Sequence, residues 1–191
     1  MLEKEMCLNK KLILIVYFIF FKTFAYADFK ENIINNLKNT QNMNFDFEQN
    51  INGKVEKGNC TIQYPKKIFC KYDLESKKIL VSDGKTLVIT NKFKSYYKYP
   101  LSKTPLDYIL DKKFLLQEIK DLKERVIDNQ FINFTIFKNE NEINLFFDQK
   151  YFNLIGWQTL DIYQNLNITH ISSIKKNQNI KNEIFKIPLK D

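Results

Sequence analysis

The stretch around Pro65 limits the possible folds more than any other part of the chain. Cys60, Ile62 and Tyr64 alternate with Thr61 and Gln63, Pro65-Lys66-Lys67 makes a corner, and Ile68, Cys70 and Tyr72 resume the alternation. An apolar period of two marks a strand with one buried face. Two such runs about a turn form an antiparallel hairpin, and centring it near Pro65 sets Cys60 opposite Cys70 on one face. Directly opposed residues stand within disulfide reach, so the two cysteines read either as a disulfide or as two small packed thiols.

The same cadence recurs along the chain. Phe45 and Phe47 alternate with Asp46 and Glu48, and Asn52-Gly53 and Lys57-Gly58 are turn signals. Strands are expected over 78–81, 86–90 and 94–99, with Asp83-Gly84 as a hairpin turn between the first two. Further strands are expected over 131–138, 142–148, 153–163, 165–174 and 184–187. In the fourth of these, Leu166, Ile168 and His170 share the apolar face. Helical spacing is confined to a few places. Residues 28–39 carry Phe29, Ile33, Ile34 and Leu37, with Asp28 as cap. Thr104 and Pro105 open a helix containing Leu106, Ile109 and Leu110, and 114–122 form a second short one. The pattern predicts one α+β domain, and an antiparallel meander of that length must curl over a helix or a cavity.

The N-terminus bears on compartment. Lys4, Lys10 and Lys11 precede ten apolar residues over 12–21, and Ala25-Tyr26-Ala27 is a small-x-small cleavage site. These are the parts of an export leader, too short in the apolar run to span a bilayer. Residues 1–27 are therefore expected to be a cleaved secretory signal peptide and 28–191 the mature domain, large enough for one core. Cys7 precedes the apolar run, so it cannot be a lipid-modified cysteine at the cleavage point. In an oxidising compartment the remaining pair favours a disulfide over a metal or redox site.

Little in the chain points to catalysis. His170 is the one histidine, expected to be packed or hydrogen-bonded, and it cannot complete a zinc site with two hairpin cysteines. Four glycines offer no phosphate loop, and no nucleophile motif surrounds Ser172 or Ser173. No enzyme activity and no cofactor are expected; a secreted hydrolase is the alternative that the missing catalytic set disfavours. The net charge of +8 is spread over scattered lysines, the pattern of a solvated surface. Tyr96-Tyr97-Lys98-Tyr99 could stack on bases, but export argues against a nucleic-acid partner.

The order of motifs resembles the LolA family of outer-membrane lipoprotein carriers over nearly the whole mature chain. An amphipathic helix is followed by Phe47-Glu48-Gln49, glycines at Gly53 and Gly58, and the segment Tyr64-Pro65 to Tyr72. Val81-Ser82-Asp83-Gly84-Lys85-Thr86-Leu87, Thr104-Pro105-Leu106 and Phe185-Lys186-Ile187-Pro188 follow in the family's order. The chain departs from the family pattern in three places. Tyr64 stands where the family carries an arginine that ties the sheet to its lid helices, Cys70 replaces an aromatic, and Asp161-Ile162-Tyr163-Gln164 lacks the glycine of an Asp-x-x-Gly turn.

The resemblance implies a strongly curved antiparallel sheet, an unclosed half-barrel, with helices as a lid over an apolar cavity. It implies a monomeric periplasmic carrier of acylated lipoproteins, loaded by an inner-membrane ABC transporter complex and unloaded to an outer-membrane acceptor lipoprotein. The apolar faces then nominate Ile62, Tyr64, Ile68, Cys70, Tyr72, Leu87, Ile89, Leu106, Ile109 and Leu110 as acyl-chain ligands. A binding or sensing protein of the same fold, for another amphiphile such as a glycolipid, is the alternative.

Overall fold

The computed structural model describes residues 29–73, 77–93, 95–161 and 164–190. The leader expected over 1–27, the cap at Asp28, and the expected strand positions Lys94, Ile162 and Tyr163 lie outside the described residues.

Helix α1 (Phe29–Asn39) buries Ile33, Ile34 and Leu37 on one stripe. A meander follows: β1 (Asn42–Ile51), β2 (Lys54–Gln63), β3 (Lys67–Tyr72), β4 (Ile79–Asp83), β5 (Thr86–Thr90) and β6 (Tyr96–Pro100). A 3₁₀ turn (Leu101–Lys103), α2 (Leu106–Ile109) and α3 (Lys112–Asp121) then interrupt the strands. The meander resumes with β7 (Arg125–Ile127), β8 (Phe131–Lys138), β9 (Asn141–Asp148), β10 (Leu154–Leu160) and β11 (Leu166–Lys176), and ends in a 3₁₀ turn (Asn182–Phe185). All eleven strands make one antiparallel sheet in the order β6-β5-β4-β3-β2-β1-β11-β10-β9-β8-β7. The sheet is open, with β6 and β7 as its edges, and β1–β11 is its one pairing between strands distant in sequence.

The Pro65 hairpin forms with the register that the alternation implies. Cys60 pairs with Cys70 and Ile62 with Ile68. The cysteines are bonded, with Cα atoms 4.1 Å apart. At the next hairpin, Asp83 Oδ1 accepts the Lys85 and Thr86 backbone N–H groups, both at 2.9 Å, and Gly84 takes φ +104°. Asp-Gly encodes such a turn because the short carboxylate caps the turn amides and glycine tolerates positive φ.

One half of the concave face is filled. Ile132, Phe134, Ile136, Ile143, Leu145 and Phe147 of β8 and β9 are fully buried, as are Ile33 of α1 and Leu115 and Ile119 of α3. Asp111 caps α3 by accepting the Phe114 N–H at 3.1 Å. The helices cross from one half of the sheet to the other. Lys66, at the β2–β3 corner, donates its N–H to Leu110 O at 2.8 Å, while Asn139, at the β8–β9 turn, donates to the Tyr108 hydroxyl at 2.9 Å.

Five sequence expectations change. Gly58 is not a turn but lies inside β2. Phe47, Gly58 and Tyr72 form one row across β1, β2 and β3, and the two rings meet edge to face, 4.9 Å apart, over the bare glycine. Thr104 does not cap α2: its hydroxyl donates back to Leu101 O at 2.9 Å, closing the preceding 3₁₀ turn, and Pro105 takes the cap position. The segment expected as a strand over 184–187 forms instead the end of a 3₁₀ turn, which buries Phe185 and packs on β3 and β4. Strand β7 has too short an apolar pattern to be foreseen.

The fifth change is a reversal of faces on β11. Thr169 and Ile171 are buried, while His170 is exposed on the outer face, opposite Glu48. Pairing with β1 sets these faces, since Thr169 stands opposite Gln49 and Ile171 opposite the buried Phe47; a bulge in the register follows, where Ser173 has φ +53°. One inserted residue swaps the side on which every later side chain falls, so Ile174 packs inward although it shares its parity with the outward His170. His170 is therefore neither packed on the apolar face nor part of the core.

Gly58→Ala tests the aromatic row. A Cβ at this position would meet Lys71 O at 2.1 Å and Phe47 Cε1 at 2.9 Å, so the strand must shift. The substitution is expected to cost about 2–3 kcal/mol in urea unfolding, the usual scale of overpacking. A loss below roughly 0.5 kcal/mol would show that the row does not constrain the sheet.

Candidate ligand-binding cavity

The other half of the concave face is not filled. Between α2 and the part of the sheet made by β1–β6, β10 and β11 lies a cavity of about 370 Å³, within the ordinary range for a small amphiphile. Its apolar wall carries Ile68, Leu80, Leu87 and Ile89 with the Cys60–Cys70 disulfide, and Leu106 and Ile109 cover it from α2. Trp157 also lines it and sits edge to face on Phe45, 6.3 Å away. The disulfide belongs to the lining and offers polarizable sulfur there.

Of the residues nominated from sequence, Ile68, Cys70, Tyr72, Leu87, Ile89, Leu106 and Ile109 lie together on this lining. Ile62 and Leu110 do not: both are fully buried in the packed core. Tyr64 also lies elsewhere, beside Thr40, Met43 and Leu37 under α1. The Tyr64–Pro65 peptide bond is cis, and Lys112 stands 5.7 Å from the Tyr64 ring. The Tyr64 hydroxyl is buried with no hydrogen-bond partner among the described residues, and burial holds it well above the usual tyrosine range.

The tie between sheet and helices is made two residues further on. Lys66 Nζ lies 2.9 Å from Asp107 and 3.5 Å from Asp111, at the two ends of the α2–α3 turn. The hydrogen bond to Asp107, helped by both carboxylate charges, holds Lys66 above its ordinary value against partial burial.

The cavity mouth is charged. Lys78 lies over the Tyr72 ring, 3.7 Å from its centre, and pairs with Glu56, which Lys54 also meets at 3.0 Å. Burial raises the Glu56 carboxyl, but the hydrogen bonds and charges of Lys78 and Lys54 outweigh it and leave the group below its ordinary value. On Lys78, burial is the larger effect and leaves the ammonium below its usual range. A larger, open concavity of about 1550 Å³ meets the cavity at Phe47, Tyr72 and Lys78, and its other walls mix apolar residues such as Val55 and Ile171 with charged ones such as Glu48, Lys57 and Lys71.

Sequence reading missed the polar part of the lining. Gln49, Thr159, Asn167 and Thr169 all border the cavity. Gln49 could have been found, since it continues the inward parity of Met43, Phe45 and Phe47. Asn167 and Thr169 alternate with Leu166, Ile168 and His170, and only their pairing with β1 and β10 turns them inward. Among the described residues no group of three or more His, Cys, Asp or Glu could hold a metal ion, and no helix is long and apolar enough to cross a membrane.

The family model of the outer membrane lipoprotein carrier protein LolA matches residues 38–188. No curated protein matches the chain. Similar solved structures include an uncharacterized conserved protein from Thermus thermophilus, at 7% identity and a TM-score of 0.49, over 84% of this chain and 93% of that one. A LolA superfamily protein from Nitrosomonas europaea aligns at 9% identity and a TM-score of 0.42, over 83% and 97%. A DUF1329 family protein from Desulfovibrio piger aligns at 9% identity and a TM-score of 0.42, over 83% and 95%.

The Lys66 clasp gives a pH signature. A lysine raised in the folded state adds stability that is fully present below its unfolded value, near 10.5, and is lost as pH rises through the folded value. Lys66→Met is expected to be about 1 kcal/mol less stable than the parent from pH 7 to 10, with the gap closing only above that range. Urea unfolding of both proteins at each pH measures it; a gap unchanged through pH 11.5 would mean that packing, and not charge, links the hairpin to the helices.

Proposed function

We propose the function of this chain from its family and its cavity: it belongs to the LolA family of outer membrane lipoprotein carrier proteins, and its role is to shield the acyl chains of a lipoprotein in the periplasm. In this reading residues 1–27 direct export and are removed, and the mature protein works as a monomer without enzymatic activity. It receives lipoprotein at the inner membrane from an ABC transporter complex and delivers it to an outer-membrane acceptor.

The observation that carries the reading is the unfilled, largely apolar space between sheet and α2. An ordinary core would close such a space, because lost packing costs free energy. Burying a methylene is worth about 0.8 kcal/mol, so a 16-carbon chain exposed to water forgoes roughly 12 kcal/mol. A carrier that hides even part of the chain removes much of that barrier. Extraction from a bilayer gains little by itself, since lipid is as apolar as the cavity, and this is why loading requires a transporter that supplies energy.

Two measurements test this. Added to spheroplasts, the protein is expected to appear in the supernatant bound to lipoprotein, in an ATP-dependent manner; absence of release with an active transporter would move the role to another amphiphile. Ile89 is only partly buried and lines the cavity, so Ile89→Glu is expected to fold, by circular dichroism, yet bind a fluorescent acyl probe at least roughly tenfold more weakly. Unchanged probe affinity would remove this cavity as the acyl site.

A further inference from the structure

The cavity wall formed by β1, β10 and β11 is polar where alternation elsewhere puts large apolar side chains. Gln49 pairs across the sheet with Thr169, and Thr159 with Asn167, all with side chains on the cavity. Gln49, Asn167 and Thr169 form one hydrogen-bonded row, with Thr159 beside it. Gln49 Nε2 donates to Asn167 Oδ1 at 3.0 Å and to Thr169 Oγ1 at 3.3 Å, and Gln49 Oε1 accepts the Tyr72 hydroxyl at 3.3 Å. Thr169 Oγ1 donates to Asn167 Oδ1 at 3.4 Å.

The row satisfies its own acceptors and leaves a donor over. Both side-chain carbonyl oxygens are occupied, whereas neither N–H of Asn167 Nδ2 has an acceptor among the described residues. Lys103 adds a cation to the same lining. A polar wall with spare donors is costly beside bare hydrocarbon and favourable beside an acceptor.

We propose that Asn167, held by Gln49 and Thr169, recognises the carbonyl oxygen at the head of an acyl chain, so that the cavity selects acyl esters or amides over plain hydrocarbon. This rests on the acyl-carrier reading above and specifies which part of the ligand the polar wall contacts. The chain lies on the Ile68–Leu87–Ile89 wall, and its carbonyl faces the row. Sites built around a hydrogen bond discriminate against analogues that lack the partner.

The test displaces 1-anilinonaphthalene-8-sulfonate from the purified protein with three ligands of matched chain length: methyl dodecanoate, N-methyldodecanamide and dodecyl methyl ether. The parent is expected to bind the ester or the amide roughly five- to tenfold more tightly than the ether, the worth of one hydrogen bond. The tighter of the two carbonyl ligands shows whether an ester or an N-acyl group is the natural source. Asn167→Asp keeps the shape and the acceptors of the row but, when ionised at pH 8, removes the donor, and is expected to bring the ratio of ester or amide affinity to ether affinity close to one. Asn167→Leu, of similar size, is expected to do the same and serves if the aspartate variant fails to fold. If the parent binds all three alike, or if the variants keep its preference, the carbonyl site is overturned and the carrier reading stands. If none of the three displaces the probe from the parent, both readings fall.

Discussion

An open antiparallel sheet has two edges, and here the chain has to travel from one to the other. Strands β1 to β6 run outward to one edge and β7 to β11 return from the opposite edge to close on β1. The segment between β6 and β7 therefore has to cross the concave face, and it does so as a short helical stretch pinned at Lys66 on one side and at Asn139 on the other. That crossing governs the rest of the structure. Helices α1 and α3 fill the space above β8 and β9, while α2, a single turn, covers the remainder without filling it. The cavity is what such a crossing leaves when its helix is too short and too thinly apolar to close the curve.

The cavity's walls differ in chemistry because they come from different strand runs. Strands β3 to β5 contribute Ile68, Leu80, Leu87, Ile89 and the disulfide, whereas the inner ends of β1, β10 and β11 contribute Gln49, Thr159, Asn167 and Thr169. Charge gathers at the mouth, in the Glu56–Lys78 pair beside Tyr72. The link between sheet and helices runs through Lys66 and not through Tyr64. Tyr64 is enclosed under α1 and cannot reach the helical crossing as an ion, while Lys66, at the corner of the same hairpin, meets both carboxylates of the α2–α3 turn.

Where local chemistry dictated geometry, the sequence could be read directly. Asp83-Gly84 turns because the carboxylate caps the turn amides, and Cys60 meets Cys70 because alternation about Pro65 leaves one register. Readings failed where a residue answered to a strand distant in sequence. Gly58 looks like a turn residue until Phe47 and Tyr72 are brought to either side of it. Leu166, Ile168 and His170 look like a core face until pairing with β1 turns Thr169 and Ile171 inward. Ile62 and Leu110 carry the same apolar signal as Ile68 and Ile109, and periodicity cannot tell a side chain that fills a core from one that lines a void.

By itself, then, the sequence determined the strands, most of their inward faces, the disulfide hairpin and a sheet too long to lie flat, because these follow from period, turn chemistry and nearest-neighbour pairing. Only the tertiary structure decided which half of the sheet's concave face is filled, and that Gln49, Asn167 and Thr169 meet on one wall. Those outcomes depend on the pairing of β1 with β11, more than a hundred residues apart, and on the volume that the helical crossing fails to occupy. Neither quantity is carried by any local pattern of residues.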